Sequence, residues 1–297
     1  MNIIKKAILK TPGKFSDYIF PFFYSRYINN IKSVGILLGP YGNLSTLTAS
    51  VMSLHPACQV LNHAGQRIFN NKKINFLENY SEKKFHNFLK FAVYASLYGK
   101  RGDYGGGIFY SHAFDHGILK NKYYERFSSD LKTPINCIFW KESLKVSNQI
   151  KIHGIDNILR NNIKIKFILP VRNPLNCAQS NLRTGQYKNF NEPINNIVDC
   201  IKAIFKEFLF FLKMKEKHPD YFFYFFENNF IEKLSDIADF LNLEKEKKWL
   251  ADSSEIIIIN NKYDNEKSLI STGIELANAY FKEYQEFRDQ IIEMINN

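Results

Sequence analysis

KIKFILPVRNPLNCAQS, residues 164–180, carries an apolar run, an arginine, a helix cap and a hydroxyl in a fixed order. Ile165, Phe167, Ile168, Leu169 and Val171 make the run nearly continuous, as a parallel strand covered on both faces requires. Asn173 suits an N-cap and Pro174 the first helical position, so a helix is predicted to start at the strand's carboxyl end. Seven residues separate the cap from Ser180, almost two turns, which brings both to one face. Arg172, the open N–H groups of the helix start and the Ser180 hydroxyl converge there, a combination suited to a phosphate. Taken alone, the segment equally describes a salt-bridging arginine at an ordinary strand end.

A second stretch adds weight. Ser33–Leu38 (SVGILL) is a short apolar strand, and Gly39-Pro40-Tyr41-Gly42-Asn43-Leu44 follows as a loop. Residues 45–54 then read as a helix with Leu47, Val51 and Leu54 along one stripe, closed by His55-Pro56. Strand, glycine-containing loop and hydroxyl-rich helix start form a cradle for phosphate. It is not a Walker A loop: the second glycine is Leu44, the lysine is Ser45, and only Thr46 fits. The missing lysine argues against ATP or GTP hydrolysis.

In this order the two stretches resemble the sulfotransferase superfamily, whose members move sulfuryl groups from 3′-phosphoadenosine-5′-phosphosulfate (PAPS). There a first loop, G-x-P-[RK]-[ST]-G-[ST]-[ST]-L-L, binds the 5′-phosphosulfate. A later strand ends in R-[DN]-P, with a serine eight residues after the arginine, and holds the 3′-phosphate. Arg172-Asn173-Pro174 through Ser180 matches the second element at that spacing. In the first, Gly39, Ser45, Thr46 and Leu47 align, while Tyr41 replaces the proline, Gly42 the Arg/Lys, Asn43 the hydroxyl residue and Leu44 the glycine. The change at Gly42 removes a cation that would stabilise the leaving oxygen.

Two more pieces fit. Cys137–Ser143 (CIFWKES) looks like the family's strand ending in K-[ST]-[PH], and Tyr221–Leu243 like its strand-then-helix element, with Glu227 at the glutamate position. The similarity runs over residues 33–243. It implies a P-loop-like, three-layer α/β fold with a central parallel sheet flanked by helices. We expect one domain over 1–297, with 1–31 as a basic, aromatic extension. Elsewhere, Ser81–Tyr98 reads as an amphipathic helix with Ser81 at its cap, Ile108-Phe109-Tyr110 as a short strand, and Pro193–Lys217 as a long helix with a core-facing stripe. Ile256–Ile259 reads as another strand and Leu269–Ile295 as a closing helix.

Composition sets bounds. Forty Lys and Arg against twenty-nine Asp and Glu give +11, which favours a nucleotide, anionic acceptors or an anionic membrane face. Asn, Ile, Lys and Phe are all abundant, so part of the lysine excess reflects codon bias. No nucleic-acid motif accompanies the charge, and no nucleic-acid partner is expected. Cys58, Cys137, Cys177 and Cys200 show no CxxC or zinc spacing, so reduced thiols and a cytoplasmic location are expected, with no metal. No run of eighteen apolar residues is present. The N-terminal segment is of a kind that can rest on a membrane surface as a peripheral contact; packing against its own domain is the preferred reading.

The resemblance implies PAPS as donor and a hydroxyl or amine of a carbohydrate, lipid or small metabolite as acceptor. Gly39, Gly42, Asn43, Ser45, Thr46 and Leu47 would line the 5′ end, and Arg172 and Ser180 would hold the 3′-phosphate. Lys141 aligns with the family lysine and is the candidate cation at the sulfuryl group. For the base, His112, near Asp115 and His116, is favoured over Glu142, which strand alternation points away from Lys141. Glu227 reads as structural, and His55 and His63 as capping or turn residues. Two rivals stand beside this reading: a non-catalytic binding protein of the same fold, favoured by Gly42 and Leu44, and a small-molecule P-loop kinase.

Overall fold

A computed structural model describes Asp17, residues 19–99, 105–115, 117–259, Tyr263 and residues 265–297. His116, residues 100–104 and residues 1–16 of the extension lie outside these. The strands are β1 (Ser33–Leu37), β2 (Cys58–Asn62), β3 (Gly106–Gly107), β4 (Cys137–Lys141), β5 (Ile165–Val171) and β6 (Phe222–Phe226). They form one sheet in the order β3-β2-β4-β1-β5-β6. All neighbours are parallel except β3, which runs antiparallel to β2. Ile36 stands opposite both Trp140 and Phe167, so β4, β1 and β5 end along one edge.

The helices are α1 (Ser45–Ser53), α2 (Gly65–Phe69), α3 (Glu82–Tyr98), α4 (Gly117–Arg126), α5 (Leu144–His153) and α6 (Asp156–Asn161). They continue as α7 (Pro174–Thr184), α8 (Ile197–Lys217), α9 (Leu234–Phe240), α10 (Lys247–Ile256), α11 (Lys267–Tyr280) and α12 (Gln285–Asn296). Strand alternation divides the core. Val34 and Ile36 pack with Phe88 and Phe91 of α3, Leu175 of α7 and Phe205 and Phe208 of α8. Leu37, Phe139 and Ile168 pack on the other face with Met52 of α1, Ile237 of α9 and Trp249 of α10. The architecture is therefore the expected three-layer α/β fold with a mostly parallel central sheet, and the carboxyl ends of its strands face one set of loops.

The structure departs from the sequence reading in five places. β2 has no counterpart among the expected strands, because its polar Gln59 and Asn62 are buried. Ile108-Phe109-Tyr110 is a 3-10 turn closed by Ser111 N–H donating to Ile108 O at 2.8 Å, not a strand. Ile256–Ile259 is no strand either: Ile256 ends α10, and the Ile257 N–H still donates to Ser253 O at 3.1 Å. Leu269–Ile295 is two helices, since the chain breaks after Tyr280 to bury Phe281 against Phe287, ring centroids 5.0 Å apart. α8 starts later than expected, where Asn196 Oδ1 accepts from Asp199 N–H at 2.9 Å.

Candidate functional site

Between β1 and α1 the loop turns through three left-handed residues: Gly39 (φ +94°), Gly42 (φ +72°) and Leu44 (φ +57°). A Cβ on Gly39 would lie 2.4 Å from Leu169 Cδ1, so the missing side chain lets β5 pack closely. A Cβ on Gly42 would lie 3.1 Å from Ser180 Oγ, which sets that hydroxyl directly against the loop. Leu44 keeps the backbone state a glycine would supply, although a left-handed non-glycine residue costs roughly 1–2 kcal/mol. Being the N-cap of α1, it has no side-chain acceptor. The first-turn N–H groups of α1 are thus left without a side-chain cap, a favourable place for an anion.

Buried Asn43 joins this loop to the β5–α7 junction. Its Oδ1 accepts from Arg172 N–H at 2.8 Å, and its Nδ2 donates to Pro170 O. Asn181 Nδ2 of α7 donates to Tyr41 O at 2.6 Å. The two βα junctions therefore meet.

Arg172 Nη1 donates to Gly42 O at 3.4 Å, and its Nε lies 3.6 Å from Glu227 Oε2. Glu227 Oε1 accepts from Asn173 N–H at 2.6 Å. Burial raises the Glu227 carboxyl above the usual carboxylate range, against the pull of Asn173 N–H and the Arg172 charge. The start of α7 is not the open anion cradle expected from sequence. Asn173 Oδ1 accepts from Leu175 N–H at 3.0 Å and Asn176 N–H at 3.4 Å, filling it from within. At this junction the Arg172 guanidinium and the Ser180 hydroxyl both lie beside Gly42.

A cavity of about 630 Å³ opens here, lined by Gly42, Ser45, Thr46, Leu47, Arg172 and His112. Its remaining wall is largely apolar, with Ile118 and Leu119 of α4, Ile256 at the end of α10, and Ile258 and Ile259 beyond it. Gly39, Asn43 and Ser180 do not line it; Gly39 and Asn43 shape the loop, and Ser180 lies behind Gly42. His112 is 81 % exposed, its Nδ1 3.3 Å from Asp115 Oδ2.

Lys141 and Glu142 belong to a second group, outside the cavity lining, at the end of β4. Lys141 Nζ lies 2.9 Å from His63 Nε2, and His63 Nδ1 lies 3.9 Å from Glu142 Oε1. Glu142 is fully buried, and its Oε2 accepts from Gly65 N–H at 2.8 Å. Contrary to strand alternation, Lys141 and Glu142 both reach His63, because β4 ends at Lys141 and Ser143 turns the chain at φ +61°. Burial pulls the Lys141 ammonium down to about 8, and the nearby Glu142 charge opposes that shift.

Among the described residues, four of the five left-handed non-glycine positions lie at strand ends on this edge: Leu44 after β1, His63 and Ala64 after β2, Ser143 after β4. Backbone strain of this kind gathers at working sites. His55 is the turn residue expected, its Nδ1 accepting from Ala57 N–H at 3.1 Å. His63 is more than that. The signal for it was positional: it directly follows β2, whose Asn62 is in register with Lys141.

No family model matches the chain, and no curated protein matches it. The chain is similar to the solved sulfotransferase STF9 from Mycobacterium avium, at 13% identity and a TM-score of 0.47, over 94% of this chain and 82% of that one. It is also similar to the sulfotransferase domain of the Synechococcus PCC 7002 olefin synthase, at 13% identity and a TM-score of 0.37, over 84% of this chain and 94% of that one. The likeness is one of fold. Among the described residues, no helix is long and apolar enough to cross a membrane.

Proposed function

We propose that this protein transfers a sulfuryl group from PAPS to a hydroxyl or amine of an acceptor. The observation that carries the reading is the shared cavity: the uncapped start of α1 and the Arg172 guanidinium both open onto it, tied together through Asn43. An anion with two phosphate groups on one sugar fits two such points, and an arginine fork and a serine hydroxyl suit a phosphate.

In this scheme the N–H groups of Ser45, Thr46 and Leu47, with the Ser45 and Thr46 hydroxyls, hold the 5′-phosphosulfate end. Arg172 and Ser180 hold the 3′-phosphate. The acceptor oxygen or nitrogen attacks sulfur in line, the bond from sulfur to the 5′-phosphate oxygen breaks, and adenosine 3′,5′-bisphosphate departs. His112 takes the acceptor's proton at Nε2, while Asp115 orients the ring through Nδ1. Lys141, on the strand beside β1, supplies positive charge at the strand ends where Gly42 carries none, and Glu142 holds its partner His63.

Calorimetric titration with adenosine 3′,5′-bisphosphate tests the assignment. The wild type should bind it, adenosine 5′-monophosphate should bind at least tenfold more weakly, and Arg172→Ala should abolish the difference. Equal binding of both nucleotides, or no binding, removes the donor. Nucleotide binding without transfer of labelled sulfate to a panel of cell extracts would leave a binding protein of the same fold.

A further inference from the structure

The cavity of about 630 Å³ is polar at the start of α1 and at Arg172, and aliphatic over the rest of its wall. Ala113 and Ile118 stand beside His112, and Ile256, Ile258 and Ile259 come from the end of α10 and just beyond it. Among the described residues, no carboxylate, side-chain amide, phenylalanine, tyrosine or tryptophan lines it. Its one further hydroxyl, on Ser50, donates to Thr46 O at 2.8 Å. Two of the isoleucines are more than half exposed, Ile118 at 55% and Ile258 at 61%, so aliphatic surface stays open to water here. The wall is held in place from behind. Arg126 of α4 pairs with Glu246 at 2.5 Å and with Asp252 of α10 at 2.7 Å, and Lys122 pairs with Asp252 at 3.1 Å. These pairs tie α4 to α10 and leave a pre-formed apolar surface.

We infer that the acceptor is a hydroxyl carried on an apolar aliphatic body, a fatty alcohol in character rather than a carbohydrate. This rests on the sulfuryl transfer proposed above and names its substrate class. There His112 receives the acceptor's proton, and the residues that flank it on the cavity are Ala113 and Ile118. An acceptor oxygen that reaches His112 therefore lays its body against aliphatic carbon. A sugar in that position would bring several further hydroxyls out of water, and isoleucine side chains give them no partner. The Ser45 and Thr46 hydroxyls and Arg172 are engaged by the donor's anionic groups in the same scheme. An alkyl chain instead covers Ile118 and Ile258 and gains by their burial. In the transfer the alcohol oxygen bonds to sulfur, and the bond from sulfur to the 5′-phosphate oxygen breaks with its electron pair staying on that oxygen. The alcohol proton passes to His112.

Calorimetric titration with octan-1-ol and with methyl glucoside, each at saturating adenosine 3′,5′-bisphosphate, tests it. Octan-1-ol should bind the nucleotide-loaded protein, and methyl glucoside should bind at least tenfold more weakly. The double variant Ile118→Ser/Ile258→Ser should lose about tenfold or more in affinity for octan-1-ol. Ile163→Ser, at an exposed isoleucine outside the cavity, should change nothing. Circular dichroism melting of the double variant confirms that it is folded. With PAPS present, labelled sulfate should appear on octan-1-ol and not on the glucoside. The two readings fail differently. Absence of nucleotide binding removes the donor, and the acceptor assignment falls with it. Nucleotide binding that excludes octan-1-ol would give the aliphatic wall to the donor's purine and overturn this inference alone. A folded double variant that binds octan-1-ol equally, a glucoside that binds as well, or bound octan-1-ol that accepts no sulfate overturns it too.

Discussion

Lys141 Nζ and His63 Nε2 lie 2.9 Å apart at the ends of two neighbouring strands. A charged Lys141 donates to Nε2, which places the ring proton on Nδ1, facing Glu142 Oε1. Burial lowers the Lys141 ammonium from 10.5 to about 8, whereas the unfolded chain keeps its proton up to the ordinary value. Between pH 8 and 10.5 the unfolded state therefore binds more protons, and stability must rise with pH. Wild-type protein should gain on the order of 3 kcal/mol over that window relative to Lys141→Met. Urea unfolding at pH 8 and pH 10 measures the difference; parallel curves for the two proteins would show that Lys141 titrates normally.

Gly42 and Leu44 share a backbone state but not a penalty. A Cβ on Gly42 meets both a left-handed φ and Ser180 Oγ at 3.1 Å, so Gly42→Ala should destabilise by about 1–2 kcal/mol. Leu44 already bears the strain, so Leu44→Gly should be neutral or stabilising by about 1 kcal/mol. The same geometry explains the absence of a cation at position 42, and Gly42→Lys should weaken nucleotide binding rather than strengthen it. Denaturation midpoints of the two small variants shifting by equal amounts would contradict this account of the loop.

Much of the frame was legible because β1, β5 and α7 obey local rules. Continuous apolar runs gave the buried parallel strands, and Asn173-Pro174 gave the start of α7 to the residue. β2 escaped because a buried strand is read from apolar residues, and Gln59 is made acceptable only by distant partners: Ser96 Oγ at 2.9 Å and Lys132 N–H at 3.0 Å. The four isoleucines at 256–259 have strand composition but pair with no strand among the described residues, so tertiary context decided against propensity. At the site, the meeting of the two junctions followed from order and spacing. What stayed hidden were contacts with no sequence period: the Asn43 bridge, and His63 beside Lys141.

Glu227 and Arg172 carry opposite charges 3.6 Å apart, so part of the guanidinium charge is already answered inside the protein. Glu227→Gln keeps an acceptor for the Asn173 N–H and removes the charge. Adenosine 3′,5′-bisphosphate should then bind about fivefold tighter, corresponding to about 1 kcal/mol. Glu227→Ala leaves the Asn173 N–H without an acceptor and should destabilise the fold by about 1–3 kcal/mol. Unchanged affinity in Glu227→Gln would mean that Arg172 does not contact the nucleotide.

Lys132 is the clearest case of a charge the fold does not want. The residue is 4% exposed, its Nζ has no hydrogen-bond partner among the described residues, and it sits over the rings of Phe127 and Tyr123. Burial pulls its ammonium down to about 6; the Cys58 and Asp130 side chains pull it up, and Arg126 pushes it further down. The ring faces favour the charged form by up to about 2 kcal/mol, too little to offset that burial. At pH 7 the folded chain holds mostly neutral amine while the unfolded chain holds ammonium, so folding must expel a proton. The opposing term is largest below pH 6 and vanishes as pH reaches 10.5. Lys132→Met, which fills the same space without a charge, should stabilise the protein by about 2–5 kcal/mol at pH 7 and by clearly less at pH 10. Urea unfolding at the two pH values decides the matter, and a gain that grows with pH would invert the sign of the argument.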